Sequence, residues 1–303
     1  MLIASVNRYI VLRRSLGYGL LQMNKLLLAY AQFATLKGDT DIRTSTAVTW
    51  ATAASTPGTR YVRLRTVVML AGFLRAEDPR HEIPPSHLFP APQGQLMPYI
   101  YSPNELARLV IAAGKLPRSY PLRRETFATL FGLIASTGIR ISEALDILVQ
   151  DLEEPGVLLI RRGKGGKSRL VPLHPTVVSA LEIYLAPRLS LSTLDDHLFL
   201  SAGRRRIGRS MANYTFRRVA FLAGITQTGT RPCRIHDLRH TFATRSLEKC
   251  RKRREDVDAH FVALATYLGH TDIAHTYWYL EATPELMTDI ASAAEVLIGE
   301  VVG

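Results

Sequence analysis

Five prolines between residues 84 and 98 divide this chain into two parts of unequal length. They are Pro84, Pro85, Pro90, Pro92 and Pro98. A proline fixes φ and lacks the backbone N–H, so neither a helix nor the interior of a sheet can continue through such a stretch. Because 303 residues suffice for two separate cores, we expect one domain over residues 1–85, a linker over residues 86–100 and a second domain over residues 101–303.

The first part has the pattern of a small helical domain. Apolar residues recur at spacings of three and four in four stretches, which glycines or Pro57-Gly58 separate: residues 6–16, 20–36, 45–54 and 60–75. Residues 1–90 carry eleven Lys and Arg against five Asp and Glu. Arg60, Arg63 and Arg65 cluster near the start of the fourth predicted helix. They are candidate phosphate contacts, although a solvated helix face explains any single one nearly as well.

The charge of the whole chain favours a polyanionic partner. The formal net charge is +12, and such a surface gains affinity for nucleic acid by releasing counterions. A composition of 47% hydrophobic and 21% charged residues is typical of a soluble globular protein. No apolar run reaches the length of a membrane span, and the N-terminus lacks the apolar core of a signal peptide. We therefore expect a cytoplasmic, nucleoid-associated protein without membrane partners.

Cysteine usage agrees with that location. Cys233 and Cys250 are the only cysteines and form no close pair, which argues against a disulfide framework. Both are expected to be reduced thiols.

The second part reads as helices around one short β-hairpin. Ser102-x-x-Glu105 is a capping-box pattern before an apolar-periodic stretch. Residues 124–136 predict a further helix. Two strands are predicted on either side of a turn rich in Gly and Lys, over residues 156–162 and 168–173. The rest of this part is predicted to be helical.

Six side chains of the second part suit the binding or attack of a phosphodiester. In chain order they are Arg140, Lys164, His236, Arg239, His270 and Tyr279. His236 and Arg239 stand three residues apart, so on a helix they share one face and can contact the same phosphate. Each motif alone is a weak signal. Their order and spacing together are hard to obtain by chance.

These motifs resemble those of the tyrosine recombinase/integrase family, the phage-integrase-like enzymes of DNA strand exchange. The resemblance covers roughly residues 100–285. It implies a mainly α fold with a small antiparallel β-sheet. In this fold a helical core-binding (SAM-like) domain and an α+β catalytic domain close around duplex DNA as a C-shaped clamp. The residues around Tyr279 look most like those of recombinases carried by transposons.

The resemblance also implies the reaction. Tyr279 would cut one strand and form a 3′-phosphotyrosine with a free 5′-hydroxyl, so neither ATP nor any other cofactor, nor a metal, is expected. Arg140 and Arg239 would hold the non-bridging oxygens of the phosphate. Lys164 would protonate the departing 5′-oxygen.

Three further residues have supporting roles by the same resemblance. His236 would assist the tyrosine proton or the phosphate oxygens, and His270 would hydrogen-bond a non-bridging oxygen. Glu143 would orient the site, although a surface helix carboxylate is an equally good interpretation. The implied partners are double-stranded DNA with an inverted-repeat core site and a homotetramer on that DNA. Whether sister recombinases join the tetramer is left open.

Rival assignments exist within these motifs. Tyr277 and Tyr279 diverge by about 200° on a helix, so only one can face the cluster, and the nine-residue spacing from His270 favours Tyr279. Lys167 is a lesser rival to Lys164. The His236 and His240 spacing fits a helical zinc site, but no third ligand is fixed by spacing. A P-loop is rejected because position 161 is not glycine.

Two other functions are compatible with part of the pattern. A DNA-binding protein that no longer cuts would be expected to have lost a catalytic position, and none is lost. A type IB topoisomerase shares the chemistry, but the compact helical first part favours a recombinase. Residues 249–258 begin with a basic run and are predicted to be an inserted loop. Residues 285–299 predict an amphipathic helix, which by the resemblance docks on a neighbouring protomer and otherwise packs on its own domain.

Overall fold

The structure is a computed structural model, and it describes residues 2–18, 20–91, 97–152, 156–161, 163, 168–193, 195–225, 232–250 and 257–269. Within these residues the fold is mainly helical with one two-stranded antiparallel sheet, which confirms the predicted fold class. The chain divides into two compact units, Met1–Leu96 and Met97–Gly303. None of the described helices is long and apolar enough to cross a membrane.

The described part of the first unit folds as four helices around one core. They are α1 (Leu2–Ser15), α2 (Leu21–Leu36), α3 (Thr44–Thr52) and α4 (Pro57–Arg75). Their apolar faces meet in a cluster that includes Leu27, Tyr30, Trp50 and Leu70. Helix α4 begins at Pro57, before the predicted start at residue 60. Thr56 Oγ1 accepts the amide hydrogen of Thr59, and Pro57, which was predicted to separate two helices, occupies the first turn.

The chain after α4 returns to the loop between α2 and α3. The Glu82 carboxylate accepts the Thr44 amide hydrogen at 2.8 Å, and the Ile42 carbonyl accepts the Glu82 amide hydrogen at 2.9 Å. His81 Nδ1 accepts the Ile42 amide hydrogen at 3.0 Å. These bonds tie the chain just before the proline-rich stretch to the start of α3.

The second unit packs its described helices around a core of aromatic and aliphatic side chains. Its elements are α5 (Pro103–Gly114), α6 (Arg123–Thr137), α7 (Ile141–Leu145), a 3₁₀ turn (Val149–Leu152), β1 (Val157–Ile160), β2 (Arg169–Pro172), α8 (Pro175–Leu189), α9 (Arg209–Leu222), α10 (Ile235–Cys250) and α11 (Val257–Leu268). The predicted capping box is confirmed, since Ser102 and Glu105 each accept the other's amide hydrogen.

The predicted hairpin is confirmed, with strands shorter than expected. Val157 pairs with Pro172 and Ile160 with Arg169. Val171 and Ile160 are buried, whereas Leu170 is exposed, so one face of the hairpin packs on the core. The turn that carries Lys164 and Lys167 lies outside the described residues.

Two predictions concern the C-terminal third. The inserted loop predicted over residues 249–258 is wrong at both ends, because α10 continues through Cys250 and α11 begins at Val257. Lys and Arg are themselves good helix formers, so the start of a basic run does not end α10. Residues 251–256 and the amphipathic helix predicted over residues 285–299 lie outside the described part of the chain.

Candidate active site

Arg140 and Glu143 form the first part of the site, at the turn between α6 and α7. Arg140 stands just before α7, and Glu143 lies in its first turn. One Glu143 oxygen accepts the Arg140 amide hydrogen at 2.9 Å, and the other accepts from Arg140 Nη1 at 2.8 Å. Glu143 is 5% exposed, so its interpretation as a surface carboxylate is wrong.

A second arginine, from β2, binds the same carboxylate. Arg169 Nη1 donates to Oε1 of Glu143 at 3.1 Å, and Arg169 Nη2 donates to Oε2 at 2.8 Å. Burial by itself raises the pKa of Glu143, but the hydrogen bonds from Arg169 and from the Arg140 amide outweigh it and lower the pKa to about 2. Glu143 is therefore ionised at neutral pH and fixes two guanidinium groups.

Three guanidinium groups gather at the C-terminal end of α11. Each donates to one of three successive carbonyl oxygens: Arg169 Nε to Tyr267 at 2.8 Å, Arg239 Nη2 to Leu268 at 2.8 Å, and Arg140 Nη2 to Gly269 at 3.0 Å. The last carbonyls of a helix lack partners within the helix and lie at the negative end of its dipole. The arginines satisfy these carbonyls just before position 270.

Arg239 is the deepest of the three arginines. It is 1% exposed, and its Nη1 donates to the Gly138 carbonyl at 2.8 Å. Gly138 ends α6 with φ +64°, and a Cβ there would overlap the Phe242 ring. Only glycine fits this position. Arg239 therefore ties the turn before Arg140 to the end of α11.

Gly269, like Gly138, is constrained both by its backbone angle and by its neighbours. Its φ is +65°, and an added Cβ would lie 3.1 Å from Arg169 Nη1. A side chain at this position would strain the backbone and push against the arginine. Arg169 would have to shift slightly to admit a side chain at position 269.

His236 lies in the first turn of α10, beside this cluster. Its ring meets the His240 ring edge-on, with centroids 4.6 Å apart. Although part of its surface is exposed, His236 has a pKa lowered to about 4, first by loss of water around the ring and then by the charges of four arginines: Arg239, Arg234, Arg140 and Arg209. The imidazole is neutral at pH 7 and can accept a proton.

The structure thus brings four predicted residues together. Arg140, Glu143, His236 and Arg239 belong to one cluster, whereas Lys164, His270 and Tyr279 lie outside the described residues. Sequence reasoning missed Arg169. The signal was present, since Arg169 shares a strand face with the buried Val171, and a charged residue on an inward face needs a partner.

The arginines predicted to contact phosphate in the first unit have local partners. The contacts are Arg60 Nε to the Ala54 carbonyl at 2.9 Å, Arg63 Nη1 to the Trp50 carbonyl at 3.0 Å, and Arg65 Nη1 to the Tyr61 hydroxyl at 3.2 Å. Two of these acceptors lie in or just after the last turn of α3. Arg65 is the most exposed of the three arginines. Their contact with phosphate stays a prediction.

One described group combines three potential metal ligands, Asp41, Asp78 and His81 of the first unit. His81 Nδ1 already accepts the Ile42 amide hydrogen, so the neutral ring carries its proton on Nε2 and has no lone pair there for a metal. The Arg80 guanidinium lies 2.7 Å from Asp78 and 4.0 Å from Asp41. This group is better explained as an ion-pair cluster that closes the first unit.

Comparisons with known proteins agree with this geometry. A sequence profile of the phage integrase family matches residues 102–285. The putative integrase/recombinase y4rB of Sinorhizobium fredii is 35% identical over 295 residues, which cover 94% of each chain. The tyrosine recombinase XerD of Caulobacter vibrioides is 31% identical over 80% of this chain and 76% of its own. The XerH recombinase in a post-cleavage DNA complex has the same fold, with a TM-score of 0.64 at 22% identity over 89% of this chain and 78% of its own.

Proposed function

Because the chain belongs to the phage integrase family and is a tyrosine-type site-specific DNA recombinase, we propose that its arginine cluster binds the scissile phosphate while Tyr279 attacks it. The observation that carries this proposal is the set of cations around one buried carboxylate. Arg140 and Arg169 share Glu143, and Arg239 lies against the same helix end. Positive charge fixed in this way before substrate binds is what stabilisation of a pentavalent phosphate requires.

Arg140 is the arginine best placed to meet a phosphate oxygen. Its side chain is 18% exposed, compared with 2% for that of Glu143. Nη1 donates to Glu143 and Nη2 donates to Gly269, which hold the plane of the guanidinium group. A guanidinium group has five N–H donors in a rigid fork, so one edge can bind protein while another binds phosphate.

Tyr279 is the proposed nucleophile, and Lys164 the proposed general acid. A phenol has a pKa near 10, and neighbouring cations stabilise the phenolate that attacks. The product is a 3′-phosphotyrosine whose bond energy is retained for religation, so no ATP is needed. Lys164 protonates the departing 5′-oxygen, and His270 binds a non-bridging oxygen.

His236 is proposed to take part as a neutral base or hydrogen-bond partner. Loss of water around the ring, and then the surrounding arginines, lower its pKa to about 4. A bound phosphate adds negative charge, so the pKa of His236 rises when DNA binds. His236 is then able to receive the Tyr279 proton during attack.

The proposed substrate is double-stranded DNA with an inverted-repeat core site, bound by a homotetramer. Arms of about one helical turn each fit two protomers on neighbouring turns of the duplex. Neither a non-cutting DNA-binding protein nor a type IB topoisomerase is favoured by the relatives found. We expect cleavage to proceed in excess EDTA, since the cation cluster supplies the charge that metals provide in other phosphoryl transferases.

The test uses the inverted repeat from DNA beside the gene, nicked so that the cleaved strand cannot religate. Wild-type protein should form a covalent adduct with this substrate. Tyr279→Phe should abolish the adduct and retain half-site binding, whereas Tyr277→Phe should behave as wild type. An adduct that survives Tyr279→Phe rules out the proposed nucleophile.

A further inference from the structure

We propose that Arg169 is a positioning residue for strand cleavage, acting through Glu143 on Arg140. This inference rests on the proposed function, because it takes Arg140 as a phosphate-binding residue. Arg169 itself stands on β2 and contacts the protein on two sides, the Glu143 carboxylate and the end of α11.

Arg140 and Arg169 share the Glu143 carboxylate. Four hydrogen bonds reach it, two from Arg140 and two from Arg169. Arg169 binds in fork geometry with both Nη atoms, while Arg140 uses only Nη1 and its backbone amide. Arg169 thereby occupies the acceptor positions that would otherwise attract the whole guanidinium group of Arg140.

Loss of Arg169 would change the direction of the phosphate-binding edge of Arg140. Without Arg169, the buried carboxylate loses half of these hydrogen bonds and a neighbouring cation. Arg140 would then be expected to turn both Nη atoms onto Glu143, since a bidentate pair is the stronger arrangement. That movement would give up the bond from Arg140 Nη2 to the Gly269 carbonyl and direct the guanidinium group away from phosphate.

The second contact of Arg169 extends its influence to α11. Nε donates to the Tyr267 carbonyl, and Nη1 lies 3.1 Å from where a Cβ at position 269 would stand. The side chain of Arg169 is 14% exposed, so it is held among these groups. It joins β2, α7 and α11 at a single point.

Loss of Arg169 could also slow cleavage in a second way. Arg169 stands five residues after Lys164 on the same hairpin, so its loss could act by displacing Lys164. The chain offers a matched control in Arg161, which follows β1 and forms an ion pair with the buried Asp151. Arg161 also anchors the hairpin to a buried carboxylate, but Asp151 is not part of the arginine cluster.

The experiment measures single-turnover cleavage by full-length protein on two versions of the nicked substrate. One has the normal scissile phosphate, and the other has a bridging 5′-sulfur, whose departure needs no proton from Lys164. The variants are Arg169→Met, Arg169→Lys, Glu143→Gln, the double variant Arg169→Met/Glu143→Gln and the control Arg161→Met. Arg140→Met is added as the test of the proposed function. Thermal unfolding and half-site binding are measured for each.

Arg169→Met should cleave roughly 10- to 100-fold more slowly on both substrates. Losses of this size are typical in metal sites when a residue that orients a metal ligand is removed. Arg169→Lys should recover part of the rate, because it keeps the charge without the fork. The double variant should be no slower than Glu143→Gln, since both changes act on one contact. Arg161→Met should remain within about threefold of wild type, as expected for a residue outside the cluster.

Several results would overturn the inference. If the sulfur substrate restores the cleavage rate of Arg169→Met, Arg169 acts through Lys164. Equal losses of cleavage rate in Arg161→Met and Arg169→Met would show that Arg169 only anchors the hairpin. Additive losses of rate in the double variant would show the same. If Arg169→Met fails to fold, the double variant and Arg169→Lys still decide, because the double variant has no buried carboxylate and Arg169→Lys keeps a second cation beside it. Wild-type cleavage by Arg140→Met would instead contradict the proposed function itself.

Discussion

The arginines of the first unit and those of the second differ in depth and in partners. Arg60 and Arg63 donate to carbonyls in or just after the last turn of α3, and Arg65 reaches only the Tyr61 hydroxyl. In the second unit, Arg140 and Arg169 bind a buried carboxylate, and together with Arg239 they donate to the carbonyls at the end of α11. Both sets interact with helix ends, but only the second surrounds an ionised group that is held inside the protein.

That difference has a functional meaning. An arginine at the surface contributes to DNA affinity through its charge, and its geometry matters little. A fixed guanidinium group can stabilise charge that develops in a transition state. We therefore expect changes in the second unit to alter cleavage and changes in the first unit to alter binding or local stability.

The largest effect is expected from Arg239→Met. This change removes a donor that is almost fully buried and leaves the Gly138 and Leu268 carbonyls without it. Loss of one such donor raises a reaction barrier by roughly 3 to 4 kcal/mol. Single-turnover cleavage should show this loss. Arg245→Met is the matched control, because Arg245 lies on the same helix and donates to the Tyr101 carbonyl away from the cluster. Equal cleavage defects in the two variants would contradict the comparison.

Glu143→Ala should have the next largest effect, on stability. Without the carboxylate, Arg140 and Arg169 keep only their bonds to carbonyl oxygens and lose their shared counter-charge. Breaking a buried ion pair costs about 3 kcal/mol or more. Glu143→Gln should lose less, because it keeps one acceptor oxygen. Urea unfolding measures both. A Glu143→Ala protein as stable as wild type would show that the carboxylate does not hold the cluster together.

The pKa of Glu143 predicts a pH dependence of stability. The pKa is about 2 in the folded protein and 4.5 for a free carboxyl group. A lowered folded pKa gives stability that is complete above about pH 4.5 and is lost as pH falls towards 2, up to roughly 3 kcal/mol. Unfolding measured across this range should be less pH-dependent in Glu143→Gln. The same slope in both proteins would assign the effect to other carboxyl groups.

Arg63→Ala should destabilise the protein by about 1 kcal/mol, since it removes a carbonyl hydrogen bond and a cation–π contact. Arg63 lies over the Trp50 ring, with its guanidinium carbon 4.9 Å from the ring centroid. Thermal unfolding tests this. The cleavage rate at saturating DNA should be unchanged. A lower rate at saturation would show that an arginine of the first unit also acts in cleavage, which contradicts the difference between the two sets.

Arg65→Ala should have the smallest effect. An exposed phosphate contact weakens binding uniformly across DNA sequences and lowers the salt slope of binding by about one when it is lost. Stability should not change. Binding titrations at several salt concentrations measure the slope, and an unchanged slope would show that Arg65 does not contact DNA phosphate.

Much of this arrangement could be predicted from local sequence. Periodic apolar residues placed the four helices of the first unit, and Ser102 with Glu105 placed the start of α5. Positions 236 and 239 share a helix face as their spacing requires. Each of these signals depends on residues close together in the chain.

The partners across the fold could not be predicted in this way. The pair formed by Arg169 and Glu143 joins residues 26 apart, and the bond from Arg140 to the Gly269 carbonyl joins residues 129 apart. The depth of Glu143 also depends on long-range contacts, because α7 packs on α6 and α9 and Arg169 of β2 binds the carboxylate. A carboxylate three residues after an arginine has the same local pattern on a surface helix as in a buried cluster.

The most direct test of the account is single-turnover cleavage by Arg140→Met at saturating DNA, with half-site affinity measured in parallel. If the cluster around Glu143 is the active site, cleavage falls by about 100-fold or more, as for loss of a fixed transition-state donor. Affinity changes by no more than about threefold, since one phosphate contact among many is lost. Cleavage at the wild-type rate would contradict the claim that the arginine cluster around Glu143 is the active site.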